Sequence, residues 1–139
     1  MNNQLKFEFS DSQKKHLTEL YPIQHWSYKE EFIEQIDLDY KIDRLGRVYS
    51  HKSHKYLKPN LSADKRYYNV GVSILGRKVT LRINRLVACT FLDNFNKTIY
   101  TDVDHKDNNS FNNCASNLRW VTRKENSQKK IDKNQLRLL

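Results

Sequence analysis

Two stretches in the C-terminal third of the chain decide the fold: VDHKDNN at residues 103–109 and NLRWVTRKEN at residues 117–126. Each includes a short run with the apolar–polar alternation of a β-strand, and the Asn-rich segment between them is typical of a loop. The basic segment that follows has the composition of an exposed helix. We therefore predict a strand, a loop, a second strand and a helix, over residues 98–105, 106–116, 118–122 and from Arg123 onward.

Four polar side chains stand at defined intervals in these stretches. Asp104 and His105 are adjacent, Asn117 follows twelve residues after His105, and Asn126 follows nine residues after Asn117. Asp104 offers a carboxylate and Asn126 a carbonyl oxygen, and Mg²⁺ prefers oxygen ligands together with waters and substrate phosphates. The His105 imidazole can accept a proton from water near neutral pH. The pattern predicts a place where a metal ion, a water and a phosphate meet.

The sequence leaves the geometry of two of these residues open. Neighbouring side chains in a strand point to opposite faces, so His105 needs a bulge or bend near the loop to reach the same water as Asp104. Asn117 both donates and accepts hydrogen bonds, and we expect it to fix either the His105 ring or the loop backbone.

Each of these residues also has an ordinary structural explanation. An Asp-His pair at a strand end can simply start a turn, and Asn126 is acceptable on the surface of a helix. The loop asparagines tolerate a left-handed backbone and are common in turns; they are Asn108, Asn109, Asn112 and Asn113. The joint agreement of residue types, order and spacing favours the functional interpretation over these separate explanations.

Taken together, the two stretches resemble the HNH nucleases, and in particular the phage and intron-encoded homing endonucleases whose last motif position is Asn rather than His. The resemblance covers residues 80–130 well and residues 40–86 more loosely. It implies a ββα-metal core with His105 as the general base, Asp104 and Asn126 as metal ligands, and Asn117 as an orienting residue. The implied cofactor is a divalent metal ion, Mg²⁺ first and Mn²⁺ as an alternative.

The chain departs from this family in two places. Relatives often have His where this sequence has Asn84, so we assign Asn84 no catalytic role. Relatives usually have Gly where this sequence has Asn108, and Asn can adopt the same left-handed turn.

Outside the motif, the pattern predicts an α+β fold with short N-terminal helices and a small antiparallel sheet before the nuclease core. Two helices, two hairpins and a third short helix are expected. The first helix is capped by Ser10 or Asp11, runs through residues 14–21 and ends near Pro22, and the second covers residues 27–36. The hairpins cover residues 40–50, with Gly46 in the turn, and residues 70–83, and the third helix covers residues 85–92. Three regions follow from this: an acidic helical segment (1–39), a sheet region that binds DNA (40–97) and the nuclease core (98–139).

The charge distribution points to a polyanionic partner. The 139 residues carry a net charge of +9, which divides into −4 for residues 1–39 and +13 for residues 40–139. A basic surface of this size favours phosphate binding, although a solvated basic face is the simpler alternative. We expect phosphate contacts from Arg119, Arg123, Lys124, Lys129 and Lys130, and base contacts from Lys78, Thr80 and Arg82 on the polar face of the second hairpin. An ordinary solvent-facing strand explains that last set equally well.

Composition also limits the class of protein. The two cysteines, Cys89 and Cys114, support neither a disulfide framework nor a structural zinc site. No signal peptide or long apolar segment is present in the sequence, so we expect no membrane association and a cytoplasmic location in a bacterium or a phage-infected host cell.

These observations predict a metal-dependent DNA endonuclease that leaves 5′-phosphate and 3′-hydroxyl ends, with double-stranded DNA as the partner. It would act as a site-specific homing-type nuclease or as a nickase: a monomer would nick one strand, and a homodimer would cut both. Two alternatives remain open at this point: a DNA-binding regulator with an inactive HNH core, and an RNA-cleaving toxin.

Overall fold

The computed structural model describes residues 9–25 and 30–137. The described chain combines four α-helices with nine short strands. In chain order these are α1 (Asp11–Thr18), β1 (Tyr21–Pro22), α2 (Glu30–Asp39), β2 (Tyr40–Ile42), β3 (Val48–Ser50), β4 (Lys55–Tyr56), β5 (Asn60–Leu61), β6 (Tyr68–Ile74), β7 (Arg77–Arg82), α3 (Ile83–Phe91), β8 (Asp102–His105), β9 (Leu118–Val121) and α4 (Arg123–Arg137).

The strands form three antiparallel sheets. The first has the order β1-β2-β3-β4, the second β5-β6-β7, and the third is the β8–β9 pair. Helices pack against sheets whose connections are hairpins, which is the α+β class. The predicted fold class is therefore confirmed, including the strand–loop–strand–helix order at the C-terminus.

The hydrophobic core lies between the inner face of the β6–β7 hairpin and the helices α2 and α3. Val70, Val72, Ile74 and Leu81 alternate along the hairpin and are almost fully buried, as the apolar alternation predicts. Leu118 joins the same cluster from β9. The core thus ties the C-terminal strands to the preceding sheets.

Two predicted boundaries near the site are wrong. The strand expected from Thr98 begins at Asp102, because the Asn96 side chain accepts hydrogen bonds from the Thr98 N–H and hydroxyl and holds the chain in a turn. Ile83, expected as the last residue of a strand, instead begins α3, although it is buried as predicted.

The cap predicted for the first helix is confirmed, whereas the end of that helix and the bounds of the second differ from the prediction. Helix α1 begins after Ser10, which forms a capping box with Gln13, and it ends at Thr18 because Tyr21–Pro22 pair with β2. Helix α2 covers Glu30–Asp39 instead of residues 27–36, and the part of that prediction before residue 30 lies outside the described residues.

The turn between β2 and β3 is tightly organised and lies against the C-terminal loop. Gly46 has φ +83°, which favours glycine. The buried Asp43 carboxylate accepts hydrogen bonds from the backbone N–H groups of Leu45 and Arg47, each at 3.0 Å, and from Arg47 Nε at 2.8 Å. Burial raises the pKa of Asp43, and the contacts with Arg47 oppose that rise.

This turn contacts the loop that follows β8. The Ala115 N–H donates to the Arg44 carbonyl oxygen at 2.8 Å. A β-carbon added at Gly46 would lie 3.1 Å from Asn113 Cβ. The first sheet therefore helps to position the segment between β8 and β9.

Two expectations drawn from composition concern the cysteines and membrane association. Cys89 and Cys114 are both buried, far apart in sequence, and not in a disulfide. None of the helices in the described part of the chain has the length and apolar character needed to cross a membrane.

Candidate active site

The site is built on the β8–β9 ladder and the helix that follows it. In this ladder Asp102 pairs with Val121, Asp104 with Arg119, and His105 with Leu118. No bulge interrupts the pairing; of the two possibilities, a bulge or a bend near the loop, the chain takes the second, since the strand ends at His105 and a turn begins at Lys106. Because side chains alternate, Asp102 and Asp104 share the face that contacts α4.

Asp104 is 6% exposed and is neutralised by two cations. Arg119 Nε donates to one carboxylate oxygen at 2.7 Å, and Lys129 Nζ donates to the other at 2.7 Å. Lys129 also donates to the His105 carbonyl oxygen at 2.9 Å. These charge-assisted bonds offset the cost of burying the carboxylate and link α4 to the end of β8.

Asn126 is held by a carboxylate of the neighbouring strand. Its Nδ2 donates to Asp102 Oδ2 at 3.0 Å. Because the amide group is planar, its Oδ1 is directed away from Asp102. Burial alone would raise the pKa of Asp102, but hydrogen bonds from Asn126 and Thr101 and the charge of Arg123 together lower it, so the carboxylate stays ionised.

The two predicted metal ligands border the same space. Asp104 and Asn126 both line a cavity of about 470 Å³ and a second one of about 100 Å³. Both supply oxygen donors, the type that Mg²⁺ and Mn²⁺ prefer, and a site completed by substrate and water needs only one or two protein groups. Among the described residues no cluster of three or more His, Cys, Asp or Glu is arranged to hold a metal. The donor chemistry therefore fits a hard divalent cation on Asp104 and Asn126.

His105 lies beside these ligands and contacts a partner that the sequence pattern does not identify. The ring is 7% exposed, and its Nε2 lies 2.9 Å from Oδ1 of Asn113, which is itself 6% exposed. His105 and Asp104 both line the smaller cavity. The Tyr67 ring lies on the same cavity, 6.4 Å from the His105 ring between centroids. In sequence, Asn113 is one of four similar loop asparagines, and no local pattern separates it from the others.

Asn117 braces the loop, and within the described part of the chain its hydrogen bonds go to Asp107 and Asn112 and not to the His105 ring. Its Oδ1 accepts from the Asp107 N–H at 3.1 Å, and its Nδ2 donates to Asp107 Oδ1 and to the Asn112 carbonyl oxygen, both at 2.9 Å. This matches the second of the two roles expected for it.

Two further features of this loop are the backbone conformation of Asn108 and the pKa of Asp107. Asn108 has φ +62°, the left-handed turn expected in place of glycine. Burial works to raise the pKa of Asp107, but hydrogen bonds from Asn112, the Asn109 N–H and Asn117 hold it below its usual value.

The residues predicted to contact DNA bases lie on the outer face of β7. Lys78, Thr80 and Arg82 are all exposed and point away from the core. The Arg82 guanidinium lies 4.3 Å from the centre of the Tyr67 ring, and Tyr67 borders the cavity that contains His105. The polar face of the second sheet thus runs up to the histidine.

The predicted phosphate-binding cations surround the two cavities. Lys124 lines the larger cavity, Lys130 lines the smaller one, and the exposed Arg123 lies 3.7 Å from Asp102. Arg119 and Lys129 also lie there, but both form ion pairs with Asp104. These two ion pairs could not be predicted from the sequence, since they depend on how α4 crosses the β8–β9 ladder.

Comparison with known proteins agrees with this geometry. The HNH endonuclease family model matches residues 100–128, which span β8, the loop, β9 and the start of α4. The chain is 38% identical over 97 residues to the DNA endonuclease I-HmuI of Bacillus phage SP01, a match that covers 70% of this chain and 54% of the relative. It is 34% identical over 87 residues to the H-N-H endonuclease F-TflII of Escherichia phage T5, which covers 63% of this chain and 45% of the relative.

A solved structure shows the same architecture. The structure reported for DNA binding and cleavage by the HNH homing endonuclease I-HmuI superposes with a TM-score of 0.64 and 34% identity, covering 76% of this chain and 56% of the other. The chain therefore spans about half the length of the phage relatives that it matches. The family-model match, the phage relatives and the superposed structure show that residues 100–128 match an HNH endonuclease motif and that the chain is similar in sequence and fold to HNH homing endonucleases.

Proposed function

We propose that the protein is a metal-dependent DNA endonuclease of the homing type. The observation that carries the proposal is one cavity of about 100 Å³ bordered by Asp104, His105 and Asn126. A carboxylate, an amide and an imidazole at one small polar cleft supply two metal ligands and a proton acceptor. The basic side chains around the cleft suit a phosphodiester substrate.

Asp104 and Asn126 would hold the divalent ion, with Mg²⁺ as the first candidate and Mn²⁺ as the second. When bound, the ion would stabilise negative charge on the phosphoryl oxygens and on the leaving 3′ oxygen. The hydrogen bond from Asn126 to Asp102 supports this role, because it leaves the amide oxygen as the atom available to a cation. Arg119 and Lys129 fix the Asp104 carboxylate in place through one ion pair to each of its oxygens.

His105 acts as the general base. Its imidazole accepts a proton from a water molecule, whose oxygen attacks phosphorus from the side opposite the 3′ oxygen. The phosphorus–3′-oxygen bond breaks, and the 3′ oxygen takes up a proton from solvent. The products are 5′-phosphate and 3′-hydroxyl ends. Burial of His105 supports this role, because an ordered ring in a partly dehydrated cleft is already oriented for the transfer.

The basic residues divide into two groups on the surface. Arg123, Lys124 and Lys130 surround the cleft and hold phosphates, which positions the duplex without reading its sequence. Lys78, Thr80 and Arg82 face outward on β7, where a two-stranded ribbon presents side chains to the edges of bases in the major groove.

Double-stranded DNA is the proposed substrate. The relative in Bacillus phage SP01 is named a DNA endonuclease, and the superposed structure is reported for DNA binding and cleavage. This favours DNA over RNA and favours an active enzyme over a regulator with an inactive core. One site cuts one strand, so a monomer nicks its target, and two copies acting together would break both strands.

The test is cleavage of supercoiled plasmid and phage DNA by the full chain, with Mg²⁺, with Mn²⁺ and with EDTA. We expect conversion to open circle that is lost in EDTA and in His105→Ala. The matched control is His16→Ala, which removes an exposed histidine of α1. Salt-sensitive DNA binding without cutting under any of these metals would instead support the regulator, and cutting restricted to RNA would support the toxin.

A further inference from the structure

We propose that Asn113 is a positioning residue that fixes the tautomer and orientation of the His105 ring, and that the turn at Gly46 holds Asn113 in place. The inference rests on the proposed function, because it identifies the ring nitrogen that accepts the proton from water.

The contact between Asn113 and His105 fixes where the ring hydrogen lies. His105 Nε2 is 2.9 Å from Asn113 Oδ1, and both side chains are more than nine-tenths buried. An amide oxygen can only accept, so Nε2 must carry the hydrogen and Nδ1 keeps its lone pair. With the amide reversed, its NH₂ would donate to Nε2, Nδ1 would carry the hydrogen, and the ring would have no acceptor left for water. The observed arrangement is the one that leaves a base.

The position of Asn113 is set by a distant part of the chain. A β-carbon at Gly46 would lie 3.1 Å from Asn113 Cβ and 3.2 Å from the Asn113 carbonyl oxygen. Two residues further on, the Ala115 N–H donates to the Arg44 carbonyl oxygen at 2.8 Å. The β2–β3 turn therefore packs closely against the segment that carries Asn113, with little room for a side chain at Gly46, and it is also hydrogen-bonded to that segment.

The turn itself is held rigidly by Asp43. Its buried carboxylate accepts from the N–H groups of Leu45 and Arg47 on either side of Gly46. The first sheet carries none of the residues assigned to catalysis, metal or DNA. We infer that it nevertheless governs the general base, through the sequence of contacts from Asp43 to Gly46, Asn113 and His105.

A purely structural role for Asn113 makes a different prediction. As a loop brace it would affect stability, while the ring nitrogen that carries hydrogen would not change. The discriminating readout is therefore the ring N–H of His105 in the full chain labelled with nitrogen-15 histidine, with His105→Ala used to identify the signal. We expect a slowly exchanging Nε2–H signal in the wild type.

Substitutions at Asn113 test the contact directly. Asn113→Asp keeps an acceptor of the same shape, and we expect it to retain the N–H signal and most of the cleavage rate. Asn113→Leu removes the acceptor, and we expect it to lose the protected signal and to lower kcat about 100-fold with KM for DNA unchanged. Asn112→Ala, a change in the same loop that does not touch His105, serves as the control and should leave the signal in place.

A pair of glycine substitutions tests the distant part of the proposal. Gly46 and Gly76 have similar φ values, +83° and +77°, but a β-carbon at Gly76 meets nothing within 4 Å. Alanine should therefore impose similar backbone strain at both sites and displace Asn113 only at the first. We expect Gly46→Ala to weaken the His105 N–H signal and lower kcat, and Gly76→Ala to change neither.

Two results would overturn the positioning role. One is a wild-type spectrum with the hydrogen on Nδ1, and the other is an Asn113→Leu protein that keeps both the protected signal and the wild-type rate. If Asn113→Leu does not fold, an identical His105 signal in Gly46→Ala and Gly76→Ala would overturn the part played by the turn. Failure of the wild type to cut DNA while the signals behave as expected would instead count against the proposed function.

Discussion

Removal of the Asn117 side chain should destabilise the loop between β8 and β9 and lower the free energy of unfolding of the protein by a large amount. Asn117→Ala deletes three hydrogen bonds, two to Asp107 and one to the Asn112 carbonyl oxygen. Each such bond contributes about 1 kcal/mol net, and the partly buried groups that lose their partner add to the loss. We therefore expect the free energy of unfolding to fall by about 2–4 kcal/mol, a large part of the ~5–15 kcal/mol available to a domain.

The assay is urea unfolding of the full chain, followed by circular dichroism. The matched control is Asn112→Ala, in the same loop, whose side chain donates one bond to Asp107 Oδ2 at 3.0 Å and accepts a long one from the Cys114 N–H at 3.4 Å. It should cost about 1 kcal/mol. A loss below about 1 kcal/mol for Asn117→Ala, or a loss equal to that of the control, would refute the reasoning that Asn117 acts as the brace of this loop.

Four further predictions concern substitutions of single residues. Asp102→Ala should weaken Mn²⁺ binding about 10- to 100-fold in calorimetry, because Asn126 loses the partner that orients its amide, whereas Asp132→Ala at the rim should leave it unchanged. Asp43→Ala should lower the free energy of unfolding by about 3 kcal/mol in thermal melts, since it strips the buried acceptor from Arg47 and from two backbone N–H groups; a loss near zero would contradict this. Asn108→Gly should be neutral and Asn108→Val should cost about 1–3 kcal/mol in the same melts, because φ is +62°. The depressed pKa of Asp107 means that its contribution to stability is complete above the unfolded value near ~4 and is lost as pH falls through the folded value; in acid titrations followed by circular dichroism, Asp107→Asn should lack this component.

Elements with strong local patterns could be predicted from the sequence. The β6–β7 hairpin follows from strict alternation around Gly76, and the strand–loop–strand–helix order of the core follows from the two motif stretches. The left-handed turn at Asn108 follows from the glycine that relatives have at this position, because Asn can adopt the same backbone conformation. In each case the determining contacts lie within a few residues, where periodicity and turn preferences operate.

The predicted ends of a strand and a helix are wrong where other hydrogen bonds compete with regular secondary structure. The strand predicted from Thr98 is shortened because Asn96 caps a turn there. Helix α1 stops early because Tyr21–Pro22 pair with a strand that starts at Tyr40. Neither effect has a signature in the hydrophobic pattern, since both depend on hydrogen bonds that compete with regular structure.

The sequence could predict that the site residues lie close together, but not the contacts that connect them to the rest of the fold. Asp104, His105 and Asn126 do border one cleft. The bond from Asn113 to His105 and the ion pair from Lys129 to Asp104 join loop, strand and helix across tertiary distances. Sequence spacing cannot reveal such pairs, because they depend on how α4 and the loop pack on the β8–β9 ladder.

The central claim is that one cleft hydrolyses one DNA strand with the help of an oxygen-ligated metal ion. The most direct measurement is the time course of supercoiled plasmid incubated with the full chain and Mg²⁺, followed by treatment of the product with DNA ligase. We predict open circle that requires Asp104 and His105 and that ligase reseals, because the ends are 5′-phosphate and 3′-hydroxyl. Bound but uncut plasmid in both Mg²⁺ and Mn²⁺, or nicks that ligase cannot seal, would contradict the account.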